Sequence, residues 1–402
     1  MRMLLTWAAS AALAVCAMTG AQTARADDDV IRFGITAPMS GAAASWGIGA
    51  DWVGQQAVKW INEHGGITAG GKTYKVALTT YENGYNSADG GKAAQAMLNR
   101  DHVRFIIQGI GTAPVKALQS LSERVGALMM QDAWGKSVKG PQAPLTFTCA
   151  NTPFELFGPL FDLVKRQHPE AKTVALLNPN DATGQEVEVE AVKQYKARGY
   201  TIVLSAWYER GTTEFQPIAT KLAQSQADIM DLSGAPPADA GSVYKELAVQ
   251  GWKGVKVVSS GTGSDALVKV GGAAVEDVYM GNAADFGGPT ATPLQRQLDA
   301  DGLKALGEPV NILHMAAWDS AMAIKAGIEK ANSTDPKAVA KVLPTLIFES
   351  SYGPAAFGGE AIYGNPQQML VPIIVTQIKH GQTVEIERIV PDELKLRLAK
   401  TQ

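Results

Sequence analysis

Short β-rich runs alternate with helical patterns along most of this chain, and the alternation limits the folds that are open to it. Stretches with apolar residues at helical spacing, such as 87–100, 184–199 and 238–251, separate the runs and end in glycine or a basic residue. The runs are 31–35, 74–81, 103–108, 127–131, 173–178, 200–205, 228–233, 255–260 and 277–282. Strands and helices at this interval are typical of parallel sheets covered by helices on both faces. The sequence therefore predicts an α/β fold with doubly wound sheets.

Three segments interrupt the alternation, and each is rich in glycine or proline. They cover 132–153, 285–293 and 349–366. Two sheet-forming blocks with three interruptions predict two lobes joined by a three-segment hinge, with a cleft between the lobes. The expected boundaries are 27–150 plus 286–348 for the first lobe, and 151–285 plus 349–402 for the second.

The first 26 residues have the composition of a secretory signal peptide. Arg2 precedes an apolar run without an acid, and Ala24-Arg25-Ala26 places small residues at the two positions that signal peptidase reads. A membrane anchor fits less well because the run is at the short limit for spanning a bilayer. Lipidation at Cys16 would need a smaller residue than Val15 before it. We therefore expect a cleavable signal over 1–26 and a periplasmic protein without a lipid anchor.

Composition narrows the classes of partner. The 402 residues are 46% apolar, enough to bury two cores, and the formal net charge is −3. No basic stripe is present, so we expect no nucleic-acid partner and no polybasic membrane surface. After removal of the signal, Cys149 is the single cysteine, which excludes an intramolecular disulfide. No later stretch is long and apolar enough to cross a bilayer.

Candidate ligand-binding residues follow the β-rich runs, because open parallel sheets bind ligands at the carboxyl ends of their strands. Taken singly, each hydroxyl or acid before a helix is commonly an N-cap, and each tryptophan is commonly a packing residue. Together, hydroxyls, helix starts and two indoles predict a pocket for a small carboxylate with an apolar or ring-like body. The candidates are Ser40, Trp46, Gly111, Thr112, Ala133, Trp134, Asp181, Thr183, Thr262 and Asp265.

The sequence contains no motif of catalysis or of cofactor binding. The segment "GIGTAP" (109–114) has the first two glycines of a dinucleotide fingerprint but lacks the third. P-loop, zinc-protease and nucleophile-elbow patterns do not occur, and the five histidines are too scattered for a metal pair. We therefore expect a binding protein with no catalytic residue, no cofactor and no metal, although missing motifs alone do not exclude an enzyme.

From about residue 30 to 390 the chain resembles the periplasmic Leu/Ile/Val-binding proteins that serve ABC importers. The residues that carry the resemblance are "IRFGITAPMSGAAASWGIGADWVGQQAVKWINEHGGI", "GKAAQAMLNRDHVRFIIQGIGTAPVKA", "AAWDSAMAIKAGIEKA" and "FESSYGPAAFGGE". The resemblance implies two doubly wound lobes that close on a ligand around three hinge strands. It also implies an ABC permease as partner, and nothing in the sequence argues against a monomer.

The resemblance assigns roles to several of the candidates. Trp46 stands where the family has an aromatic that touches the ligand. Gly111 and Thr112 fall in the loop that takes an α-carboxylate, and 133–135 (Ala133, Trp134 and Gly135) form the second carboxylate loop. Thr183 lies near a frequent ligand-contacting aromatic, and 262–265 lie near the acid that takes an α-ammonium.

Departures from the family pattern leave the ligand open. Trp134-Gly135 replaces a small residue and a hydroxyl, and Asp181 is as good an ammonium partner as Asp265. We expect a small organic acid, aromatic acids included, with an amino acid as the competing ligand and an amide such as urea third. Two other functions stay open: a ligand-sensing module of a signalling system, and an exported enzyme on the same scaffold.

Overall fold

The computed structural model of the protein describes residues 29–400. The predicted signal peptide and Cys16 lie outside the described residues. The first part of the chain consists of β1 (Val30–Ala37), α1 (Ala44–Glu63), β2 (Ile67–Ala69), β3 (Lys72–Glu82), α2 (Ser87–Gln95), β4 (Phe105–Gly109), α3 (Thr112–Val125), β5 (Leu128–Gln131) and β6 (Thr146–Thr148).

The middle of the chain repeats the same plan in a second unit. It consists of α4 (Pro153–Gln167), β7 (Thr173–Pro179), α5 (Ala182–Ala197), β8 (Thr201–Tyr208), α6 (Gln216–Gln224), β9 (Ile229–Asp231), α7 (Pro237–Val249), β10 (Val255–Val258), α8 (Ser264–Gly271) and β11 (Tyr279–Met280). Every β-rich run that the sequence analysis named contains a strand in the structure.

The last third of the chain returns to the first unit and then to the second. Its elements are α9 (Pro293–Leu306), α10 (Ile312–Ala331), α11 (Pro336–Val342), β12 (Ile347–Ser350), β13 (Gly353–Gly358), α12 (Glu360–Tyr363), β14 (Gln368–Leu370), β15 (Ile373–Lys379), β16 (Gln382–Ile389) and α13 (Asp392–Ala399).

The strands form two sheets, one in each lobe. The first has nine strands in the order β12-β13-β14-β6-β5-β4-β1-β3-β2, and the second has seven in the order β16-β15-β11-β10-β9-β7-β8. Central strands pair in parallel, as expected, and β8 at one edge of the second sheet is also parallel to its neighbour. The other three edges end in antiparallel pairs: β12 with β13, β2 with β3, and β16 with β15. The fold is α/β, with two doubly wound lobes joined by three connecting segments.

The third connection differs from its expected place. We expected 349–402 to belong to the second lobe, but β13 and β14 pair within the nine-stranded sheet of the first. The chain leaves that sheet only between Leu370 and Ile373. Leu394 of α13 also packs on the first lobe, in a small apolar cluster with Ala356 and Leu370. The predicted boundary at residue 349 is therefore wrong, because the chain stays in the first sheet to the end of β14.

Packing between α1 and α10 fixes the start of α1, where Ser45 and the candidate site residue Trp46 lie. A Cβ atom at Gly49 would come within 2.2 Å of the buried His314 ring, so glycine is required for this contact. Burial lowers the pKa of His314 to about 4, and the neutral ring donates from Nε2 to the Ser45 carbonyl at 2.9 Å. Ser45 and Trp46 are thus held at the edge of the first lobe.

Within residues 29–400, no helix has the length and apolar character that crossing a membrane would require.

Candidate functional site

A cavity of about 390 Å³ lies between the two lobes, and we call it the cleft cavity. Both lobes and the second connecting segment supply its walls. The first lobe contributes Ser45, Trp46, Asp299 and 308–311, the connecting segment contributes 283–286, and the second lobe contributes Pro237, 262–266 and 381–384. Its volume lies in the range of about 300–1,000 Å³ that small-molecule sites occupy.

Four helices begin at the cleft cavity. Residues at or next to the first turns of α1, α7, α8 and α10 are among those that line it. Backbone N–H groups at a helix start have no partner within the helix, and the helix dipole places partial positive charge there. The convergence favours an anionic group such as a carboxylate in the cavity.

Carboxylates make up the charged part of the lining. They are Asp265, Asp285, Asp299 and Glu308, and no lysine or arginine of the described chain lines the cavity. Burial raises the pKa of Asp265, of Asp299 and of Glu308, and repulsion from Asp265 adds to the rise for the last two. A cationic group placed among these carboxylates would relieve that repulsion.

Trp46 connects the cleft cavity to an aromatic cluster. It is 2% exposed, and its ring centroid lies 5.8 Å from that of Tyr85 and 6.2 Å from that of Trp134. Both pairs are tilted, an arrangement that aromatic quadrupoles favour. Trp46 therefore gives the cavity a rigid apolar wall.

Beyond this cluster the lobes touch directly, in a region that we call the contact zone. It is formed by Tyr85, Thr112, Gly135 and Ser137 of the first lobe with Thr183, Glu186 and Arg210 of the second.

Two threonines make the buried part of the contact zone. The Thr183 hydroxyl donates to Oγ1 of Thr112 at 2.9 Å and accepts from the Thr112 N–H at 3.3 Å. The Gly135 N–H donates to the same Thr112 oxygen at 3.0 Å. The hydroxyl and amide that start α3 are therefore occupied by the opposite lobe.

Glu186 and Arg210 make the outer part of the contact zone. The carboxylate of Glu186 accepts from the N–H of Ser137 at 2.8 Å and from its hydroxyl at 2.6 Å. The Arg210 guanidinium lies 4.2 Å from the ring centroid of Tyr85, a cation–π contact between the lobes, and its Nε donates to Asp181.

A larger cavity, of about 690 Å³, lies at the opposite edge of the second sheet. It is lined by residues that precede strands, among them Ala171, Asp228 and Gly254. Ligands of open parallel sheets bind at the carboxyl ends of the strands. The cleft cavity, which lies at those ends and between the lobes, is the stronger candidate.

Comparison with known families agrees with this architecture. The family model described as "Periplasmic binding protein" matches residues 30–383. The chain belongs to this family.

Relatives with known names are solute-binding proteins. This periplasmic binding protein is 26% identical to Leu/Ile/Val-binding protein homolog 3 of Brucella melitensis, with 78% of this chain and 83% of the relative covered. It is 23% identical to the leucine-, isoleucine-, valine-, threonine- and alanine-binding protein of Pseudomonas aeruginosa, with 82% and 86% covered. Family membership makes the protein a periplasmic solute-binding component of an ABC transporter and not an enzyme.

Solved structures share the fold. A leucine-binding protein from Thermotoga maritima superposes with a TM-score of 0.76 at 16% identity, covering 90% of this chain and 99% of the other. A Rhodopseudomonas palustris solute-binding protein in complex with 4-hydroxybenzoate gives 0.75 at 21% identity, covering 90% and 98%. Both are type I periplasmic binding folds with two lobes.

The structure divides the predicted site residues of this binding protein into three groups. Trp46, Thr262 and Asp265 line the cleft cavity. A second group lies in or beside the contact zone: Thr112, Gly135 and Thr183 form it, Gly111 lies behind Tyr85, Trp134 lies beside Trp46, and Asp181 holds Arg210.

The remaining two predicted residues lie apart from the cleft cavity. Ser40 is exposed, precedes a short 3-10 helix, and makes no side-chain capping bond. Ala133 is fully buried in the apolar core behind α3, and its N–H donates to Gln131. Neither residue is among those that line the cavity.

Several residues of the site escaped the sequence analysis. Tyr85 and Arg210 follow β3 and β8, so the rule that places ligands at strand ends could have found them. Asp299 and Glu308 lie within and just after α9, away from any strand end. No local sequence signal marks them, because only the crossing of the chain between the lobes brings them to the cavity.

Proposed function

We propose that this binding protein captures a small solute bearing a carboxylate in the cleft cavity and presents it, with the lobes closed, to the permease of its ABC transporter. The carrying observation is the cavity itself, which both lobes and a connecting segment enclose. A solute that contacts both lobes stabilises the closed arrangement by its differential affinity for it. The start of α8, where residues 264–266 line the cavity and no side chain caps the helix, supplies N–H groups for the carboxylate.

Among the three ligand classes that the sequence left open, the lining favours an amino acid over an organic acid. An acid without an amine would meet four carboxylates and no basic side chain in this cavity. An α-ammonium placed near Asp265 would instead lower the repulsion among them. Trp46 and Phe286 supply apolar surface for the rest of the solute.

One chain supplies every wall of the cleft cavity. We therefore propose that the protein binds its solute as a monomer after export and removal of residues 1–26.

Thermal unfolding of the mature protein, freed of bound solute by unfolding and refolding, tests the proposal. The panel contains branched-chain, polar and basic amino acids, benzoate-type acids, dicarboxylates and urea. A solute at 100 times its dissociation constant should add about 2.7 kcal/mol to the free energy of unfolding. We expect amino acids to raise the midpoint and organic acids to leave it unchanged.

The other outcomes separate the two parts of the proposal. A response to benzoates alone would keep solute capture and overturn the amino-acid assignment. A midpoint that no member of the panel raises would overturn both. Small-angle scattering of free and loaded protein then checks whether the loaded form is the more compact.

A further inference from the structure

The carboxylates of the cleft cavity come from separate elements on both sides of it. Asp265 lies in the first turn of α8 in the second lobe, Asp285 in the connecting segment, Asp299 in α9 and Glu308 after it. Their convergence is thus a product of the tertiary structure and not of one acidic stretch of sequence. Side chains of like charge brought together this way repel one another unless a cation balances them.

No ion pair within the described chain balances this charge. None of the four carboxylates takes part in an ion pair with a lysine, an arginine or a histidine among residues 29–400. The charge of Lys269 in α8 acts on Glu308, where it opposes the rise in pKa. Among residues 29–400, no group of acids, histidines and cysteines is arranged to hold a metal ion.

A separate feature of the lining also points to a ligand. Thr262 lines the cleft cavity and is 1% exposed, yet its hydroxyl has no hydrogen-bond partner. Buried hydroxyls are normally satisfied, and leaving one without a partner costs free energy. A polar group of a bound solute would supply the missing bond.

We infer that the solute is cationic overall: a basic amino acid, whose second cationic nitrogen lies among Asp265, Asp299 and Glu308. The inference rests on the proposed function and names the class of its solute. The α-ammonium and the carboxylate of any amino acid cancel, so a neutral amino acid leaves the acidic lining uncompensated. A basic side chain compensates it, and its methylene groups can pack against Trp46, which lines the same cavity.

Protonation of the lining should oppose this binding. The groups that face the solute are the four carboxylates, with Lys269 acting on Glu308. Burial raises the pKa of Asp265, of Asp299 and of Glu308, which makes these carboxyls easier to protonate. A bound cation favours their ionised forms instead, because it attracts the negative charge. Binding of a basic amino acid should therefore weaken as the pH falls. Binding should also release protons from the carboxyl groups of the lining.

Calorimetric titration with L-lysine, L-arginine and L-norleucine tests the inference. Norleucine has the chain length of lysine and lacks only the terminal ammonium. The difference in affinity between the two ligands therefore measures the contribution of that second positive charge. We expect lysine or arginine to bind at least tenfold more tightly than norleucine, with a difference that shrinks at high salt.

Each alternative result is decisive. Equal affinity for lysine and norleucine would overturn this inference and leave the proposed amino-acid capture intact. Binding of benzoate-type acids only would overturn this inference together with the amino-acid assignment. If neither the amino acids nor the benzoate-type acids bind, the proposed function is overturned as well.

Matched variants place the effect in the cavity. Asp299→Asn and Glu308→Gln should each weaken lysine binding about tenfold while changing norleucine binding less than twofold. Asp301→Asn is the control, because Asp301 is exposed on the same helix and pairs with Lys304. Equal losses for the two ligands would show that the carboxylates support the fold only, and the midpoint of the ligand-free variants reports that effect separately.

Discussion

Replacing Gly135 by alanine is expected to keep the lobes apart and to weaken solute binding by at least tenfold. Gly135 has ordinary backbone angles, so alanine introduces no backbone strain. Its Cβ atom, however, would lie 2.4 Å from the Thr112 methyl group and 2.9 Å from the Glu186 carboxylate. To make room, Thr112 must turn or the second lobe must withdraw.

Either response breaks contacts between the lobes. Turning Thr112 loses its bonds with Thr183 and with the Gly135 N–H, and withdrawing Glu186 loses its two bonds to Ser137. If only a fraction of the protein can close, the apparent affinity falls by that fraction. None of these residues lines the cleft cavity, so the loss would come from closure and not from missing ligand contacts.

Calorimetric titration with the best solute of the panel measures the change in affinity, and small-angle scattering measures the lobe separation. Gly91→Ala is the matched control: this glycine lies in α2 of the same lobe, and a Cβ atom there would have no neighbour within 4 Å. Wild-type affinity in Gly135→Ala would show that the contact zone does not govern closure. A lowered midpoint of the ligand-free variant would instead indicate damage to the first lobe.

The fold was predictable from sequence where a pattern is local. Buried parallel strands such as β4 and β7 are continuous apolar runs, and amphipathic helices follow them. The third connection was not predictable in the same way. β13 carries glycine and proline, which favour turns, and it becomes a strand only by pairing antiparallel with β12 and β14.

The site was predictable in part for a similar reason. Trp46, Thr262 and Asp265 follow strands and reach the cleft cavity. Thr112 and Thr183 also follow strands, but the approach of the lobes joins them to each other, which no property of either loop indicates. Two acids of the cavity lining, Asp299 and Glu308, lie in α9 and just after it, and their place is set by the return of the chain to the first lobe.

Replacing Asp319 by asparagine is expected to remove a large pH dependence from the stability of the first lobe. Asp319 is 1% exposed on α10 and accepts from the N–H and the hydroxyl of Ser351. Burial raises its pKa to about 7, and the nearby Asp132 adds to the rise. Burial likewise raises the pKa of Asp132 to about 6, although Cys149 and Gln108 donate to its carboxylate.

The direction of the effect follows from the protons bound in each state. In the unfolded chain an aspartate has a pKa of about 3.9, so between about pH 4 and pH 7 the folded protein holds a proton that the unfolded chain has released. The free energy of unfolding therefore falls as the pH rises through this window and levels off above it. For Asp319 the difference of about three pKa units corresponds to roughly 4 kcal/mol.

Asparagine cannot ionise, and its side-chain oxygen can still accept from the Ser351 N–H. The variant should thus match the wild type near pH 4 and exceed its free energy of unfolding near pH 8, where the wild type must bury a charged carboxylate. Urea denaturation at the two pH values measures the change in the free energy of unfolding with pH. Asp301→Asn, at an exposed position, should leave this change as it is in the wild type. If Asp319→Asn shows the same change with pH as the wild type, Asp319 ionises in the folded state as it does in water. A slope reduced only in part would assign the remainder to Asp132, since its carboxyl lies in the same lobe and titrates in the same window.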